Sequence, residues 1–140
     1  MTATTNNSAQ APRVGCGALI KNAAGEILLV KRKRAPEKDH WGFPGGKVDF
    51  GETAETATVR EIREELGISI KLNSLAHLVN YIDIAEGQHW LAPVYTAVII
   101  SGTPEIREPD AISEMKWWSP ADLPSPLTQA TQQTLKIERA

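Results

Sequence analysis

The sequence predicts an α+β domain in which a mixed β-sheet is covered by helices. Three observations point there. Runs of β-branched and aliphatic residues recur in both halves of the chain, one strongly patterned helix sits between them, and a second capped helix closes the chain. At 140 residues the length suits one domain with a real core. Residues 1–12 are rich in Thr, Asn, Ser, Ala and Gln and read as a disordered tail, which leaves 13–140 for the domain.

Val14 to Ile20 and Glu26 to Lys33 read as strands joined at "NAAG", where Gly25 supplies a positive φ. "APEKDHW" is loop, and "GFPGG" is a breaker cluster unfit for a helix interior. A short "KVDF" strand leads to the central helix, with Thr53 as its cap, Glu55 in its first turn and Gly67 as its stop. Ile68–Leu72, Leu75–Ile84 and Trp90–Ile100 follow as strands, and "EMKWW" as the last. "SPADLP" and "SPLTQATQQTLKI" each place Ser and Pro where a helix starts, the second opening a C-terminal helix.

Composition bounds the function. A net charge of -2 gives no general pull toward nucleic acid, so no nucleic-acid polymer is expected as partner. No apolar run reaches the roughly 20 residues of a membrane span, and the N-terminus lacks the order of a signal peptide. With a single cysteine, Cys16, these point to the cytoplasm.

The central helix carries an anomaly. Val59, Ile62 and Leu66 form a narrow apolar stripe, whereas Glu61, Glu64 and Glu65 crowd onto another face. Like charges at these spacings each cost about 0.2–0.5 kcal/mol in an isolated helix. One reading is a solvated network neutralised by Arg60 and Arg63, with Arg60 four residues before Glu64. The other is a divalent-cation site, in which three carboxylates supply hard oxygens for Mg2+ or Mn2+ and a glycine loop lets backbone oxygens approach.

Gly46, five residues, Glu52, seven residues and then "REIREELGI" (Arg60 to Ile68) together resemble the Nudix box, G-x5-E-x7-R-E-U-x-E-E-x-G-U, with every fixed position filled. The "FPGG" lead-in and the Trp118–Pro124 tail are similar to small Nudix proteins as well. The resemblance implies an α/β/α sandwich whose box forms a loop–helix–loop. It also implies pyrophosphohydrolysis of a nucleoside diphosphate linked to a group X. On this basis Glu64 and Glu65 are the principal metal ligands. Glu61 is ligand, general base or both, the Gly45 carbonyl completes the coordination, and Arg60, tethered by Glu52, orients the cluster. Glu108 corresponds by rough position to a further metal-binding glutamate, with Glu105 and Glu114 as alternatives. The implied cofactor is Mg2+, with Mn2+ as a substitute, the partner is a small nucleotide, and many relatives are homodimers.

Other candidates have two readings each. Arg32 and Arg34, on one side of a strand by alternation, either bind phosphates or protect the strand edge. Phe43 and Trp41 either stack on a base or anchor the core. Trp117 and Trp118 point to opposite faces, one to the core and one toward a pocket. His40, His77 and His89 lack ligand spacing.

For substrate, the proline expected of ADP-ribose hydrolases beyond the box is absent: Ile84 stands near that point. "WWSPADLPSPL" looks closer to MutT-like triphosphate diphosphatases, although the asparagine that reads oxidised guanine is unmatched, with Leu127 or Thr128 there. The expectation is an NTP or dNTP diphosphatase releasing a nucleoside monophosphate and pyrophosphate. The alternatives are hydrolysis of an NDP-sugar of the ADP-ribose type and a noncatalytic nucleotide sensor.

Overall fold

The computed structural model describes residues 10–137. Most of the stretch 1–12 read as a tail therefore lies outside the described residues. The elements run β1 (Arg13–Ile20), β2 (Ile27–Arg32), β3 (Trp41–Gly42), β4 (Gly45–Lys47), α1 (Ala54–Leu66), β5 (Ser69–Asp83), β6 (Gln88–Ser101), β7 (Ile112–Trp118) and α2 (Gln129–Leu135).

Instead of one mixed sheet there are two. The first, ordered β4-β1-β6-β5, is mixed because β1 runs parallel to β6; the second, β3-β2-β7, is antiparallel. Strands β1 and β2 are buried on both faces, which is why they read as unbroken apolar runs. Their alternate residues supply two cores. Ala18, Ile20, Leu28 and Val30 join Ile62 and Leu66 of α1 in one cluster, while Leu19, Ile27 and Leu29 join Trp41 and Leu127 in the other. The result is a helix–sheet–helix sandwich with α1 over the first cluster and Ala130 and Leu135 of α2 over the second.

Helix α1 begins and ends as expected. Thr53 accepts from the Thr56 amide, and Gly67 closes the helix in the left-handed region at φ 70, donating its amide to the Arg63 carbonyl. Its buried stripe is broader than the expected one: Ala57, Thr58, Ile62 and Leu66 are buried, with Val59 only partly so.

Several boundaries differ from expectation. The two strands expected over 68–84 are one bent strand, β5, whose register against β6 shifts between Leu72 and Ser74 and between Leu75 and His77. The expected "KVDF" strand lies earlier, as Gly45–Lys47, inside the glycine cluster. A Cβ on Gly45 would overlap the Cys16 carbonyl, so these glycines permit close pairing of β4 with β1 rather than breaking structure. "SPADLP" makes a turn, with Asp122 donating to the Ser119 carbonyl. The C-terminal helix starts later than its Ser-Pro signal, capped by Thr128.

Candidate active site

The site is built where α1 crosses the glycine strand β4. Arg60 sits at its organising point. Its Nε donates to Glu52 Oε2 at 2.6 Å and its Nη2 to Glu52 Oε1 at 2.8 Å, while Nη1 donates to Glu64 Oε1 at 3.0 Å. Asp49 lies 3.4 Å away and Glu61 3.5 Å away, and the Lys47 carbonyl accepts a further bond at 3.2 Å. The Arg60 hydrogen bonds, with help from the Asp49 amide, hold the Glu52 carboxyl down at about 2.

The other two glutamates of the cluster turn inward. Glu61 Oε2 accepts from the Lys47 amide at 3.0 Å, and Glu65 Oε1 accepts from the Gly45 amide at 3.0 Å. Gly46 has to be glycine, because a Cβ there would overlap the Glu61 carboxylate. Burial, then the charge of Glu61, pushes the Glu65 carboxyl up to about 8, with the Gly45 amide pulling against them and Glu108 adding to the rise. Glu61 is raised too, first by burial and further by Glu64 and Glu108, against the Lys47 amide and Arg60.

Glu108 arrives from the loop before β7. That loop docks on the end of α1: the Arg107 amide donates to the Glu65 carbonyl at 2.8 Å and the Glu105 amide to the Leu66 carbonyl at 3.1 Å. The Arg107 guanidinium packs over Gly67, where a side chain would collide with it. Of the three glutamates weighed for this position, Glu108 is the one whose charge reaches Glu61 and Glu65; Glu105 pairs with Arg107 and Glu114 with Lys31.

Among the described residues no group of three or more Asp, Glu, His or Cys side chains is arranged closely enough to hold a metal ion as it stands. The donor chemistry nonetheless fits a hard divalent cation. Glu61, Glu65 and Glu108 offer only oxygens, repel one another and are partly desolvated, the condition a bound cation relieves. Glu64 lies at the edge, half-exposed and held by Arg60.

The expected substrate contacts fare differently. Trp41 is 7% exposed and stands edge-on to Trp118, ring centroids 5.2 Å apart. It belongs to the second core, so of its two readings the structure favours the core anchor over base stacking. Phe43 is half-buried against the same core. Trp117 and Trp118 do lie on opposite sides of β7, but each packs on a core. Strand β2 ends at Arg32 with a register shift, so Arg34 is off the strand and the expected alternation does not reach it. Arg32 is half-buried, donating from Nε to the Pro36 carbonyl at 2.7 Å and from Nη2 to the Arg34 carbonyl at 3.4 Å.

Sequence reasoning missed Asp49, whose pairing with Arg60 depends on the turn before α1. It also missed Glu37, which a left-handed backbone (φ 60) carries across to α2. Neither spacing nor residue type marked them.

The chain also resembles known proteins along most of its length. The NUDIX domain profile matches residues 11–138. The chain is 37% identical over 99 residues to the ADP-ribose pyrophosphatase of Methanocaldococcus jannaschii, covering 71% of this chain and 57% of that protein. It thus spans little more than half of that relative's length. It is 36% identical over 110 residues to the putative 8-oxo-dGTP diphosphatase of Bacillus subtilis, covering 79% of this chain and 68% of the relative. The MutT NUDIX hydrolase of Burkholderia pseudomallei superposes with a TM-score of 0.86 at 53% identity, covering 90% of this chain and 97% of that one. With the box residues gathered at one crossing and the match running almost end to end, the chain belongs to the Nudix family.

Proposed function

We propose that the protein is a Mg2+-dependent diphosphatase that cleaves a nucleoside triphosphate, NTP or dNTP, to the monophosphate and pyrophosphate. The observation that carries this reading is the pair of inward carboxylates, Glu61 and Glu65, held on the amides of β4 with Glu108 facing them. Such a cluster is unfavourable alone and favourable around a cation. Glu61, Glu64, Glu65 and Glu108, with the Gly45 carbonyl, would hold it. When bound, the cation neutralises phosphate charge and lowers the pKa of an attacking water. Glu61 lies beside that region and is the residue assigned to take the water proton. Arg60 acts by orientation: its bonds to Glu52 and Glu64 fix the face of α1 that meets the phosphates. Arg32, at the end of β2, supplies positive charge for the phosphates away from the metal.

Relatives named for 8-oxo-dGTP and for ADP-ribose both occur, so hydrolysis of an NDP-sugar is the second reading. One assay separates them. The protein is incubated with Mg2+ and a panel of nucleotides, and the products are identified. Pyrophosphate from triphosphates supports the proposal; AMP with ribose phosphate from ADP-ribose supports the second reading. Tight binding without turnover would overturn both in favour of a sensor.

A further inference from the structure

A cavity of about 450 Å³ opens beside the end of β5, lined by Glu37, Asn80, Tyr81, Ile82, Asp83 and Gln129. Its volume suits a nucleobase with its sugar. Its chemistry is unlike that of a phosphate cradle, since two carboxylates and no cationic side chain line it. An ionised carboxylate only accepts hydrogen bonds, so a ligand here has to bring N–H or O–H donors.

Glu37 is held for such a role. Its Oε2 accepts from the Gln129 amide at 2.7 Å, which fixes the carboxylate and leaves Oε1 without a protein partner among the described residues. Asp83 accepts from the Glu86 amide at 3.2 Å through Oδ1, and its other oxygen is likewise free among the described residues. The Asn80 backbone is bonded on both sides by the Gln133 side chain, at 3.2 and 2.8 Å, which ties this end of β5 to α2. The cavity wall is therefore pre-set.

Arg32 connects this cavity to the α1 carboxylates. Its Nε is anchored on the carbonyl of Pro36, the neighbour of Glu37, and its charge reaches Glu37 and Tyr81 on one side and Glu65 on the other. A nucleotide whose phosphates lie between Glu65 and Arg32 would carry its uncharged end toward Glu37. The reverse placement would set phosphates against Glu37 and Asp83.

We propose that this cavity seats the nucleobase and that Glu37 reads the exocyclic amine, so that amino-bearing bases are preferred over bases lacking the amino group. The inference rests on the nucleotide reading above and adds its specificity. Burial raises the Glu37 carboxyl, and a donor from the base restores hydrogen bonding that desolvation removes.

GTP and ITP differ only in the 2-amino group and test this directly. The parent protein is expected to favour GTP in kcat/KM by about tenfold or more. Glu37→Gln keeps an acceptor for the Gln129 amide and turns an NH2 toward the base, so the ratio falls toward one. Equal use of GTP and ITP by the parent, or an unchanged ratio in the variant, overturns the proposal. If no triphosphate is hydrolysed, the diphosphatase reading fails, and the cavity is then read by calorimetric binding of GMP and IMP. GMP binding at least about tenfold tighter to the parent, and not to Glu37→Gln, supports the assignment; equal affinities overturn it.

Discussion

Arg60 grips Glu52 with two donors, Nε and Nη2, each on its own carboxylate oxygen. This fork joins the loop before α1 to the helix face that carries Glu61, Glu64 and Glu65. A planar guanidinium matches a carboxylate in this way and an ammonium does not. Arg60→Lys is expected to keep the charge yet lower turnover by about tenfold to a hundredfold, as loss of an outer orienting partner does at metal sites. Steady-state kinetics across Mg2+ concentrations checks this; a variant at the parent rate would remove Arg60 from the orienting role.

Glu52 also sets an acid limit. Its folded pKa, about 2, lies below its unfolded value near 4.5, so the pairing contributes fully above that range and is lost as pH falls from about 4.5 toward 2. Acid unfolding followed by tryptophan fluorescence should lose part of its steepness in Glu52→Gln.

Glu65 works in the opposite direction. Its folded pKa is raised from 4.5 to about 8, so without a cation the folded state keeps a proton that the unfolded chain releases. Stability of the metal-free protein should therefore decline as pH rises from about 4.5 to about 8. In chelator, melting should come at higher temperature at pH 5.5 than at pH 8. Glu65→Gln should flatten that difference, and added Mg2+ should narrow it. A metal-free parent whose melting temperature changes with pH as the variant's does would contradict the assignment.

Glu64→Gln should leave the fold intact, because the side chain is half-exposed and its pair with Arg60 contributes about 1 kcal/mol at most. Turnover should fall by about a hundredfold or more if Glu64 holds the cation. Ile62→Asp gives the contrast: Ile62 is fully buried in the first core, and a charge there should unfold the domain. Circular dichroism beside kinetics distinguishes the two outcomes.

Gly46→Ala separates packing from chemistry. The added methyl would overlap Glu61 and force its carboxylate off the Lys47 amide. Displacements of this size near a reacting centre cost on the order of a hundredfold. The variant should bind nucleotide but turn it over slowly, and a kcat at the parent level would show that Glu61 tolerates relocation.

The glutamate-bearing helix α1 is legible because its information is local. A cap, an apolar stripe and a glycine stop fall at fixed spacings, and the crowded glutamates stand out against them. The pairing of Arg60 with Glu52 was legible only through family resemblance, since eight residues with an intervening helix start do not by themselves bring two side chains together. The choice between stacking and packing for Trp41 stayed open in the sequence because β3 has just two residues and lies between breakers, so its spacing does not show which face it presents. Glu37 is illegible for a related reason: a left-handed loop residue meets the start of α2 across a separation of 92 residues, which only tertiary packing sets. Bent β5 looked like two strands because its bulges interrupt the apolar alternation without interrupting the chain's path.

The docking of the 105–108 loop on the last carbonyls of α1 makes the helix terminus a jig for a carboxylate from a distant part of the chain. On the proposed cation site, a side chain at Gly67 would push on Arg107 and, through it, on the position of Glu108, as well as straining the left-handed residue that closes α1.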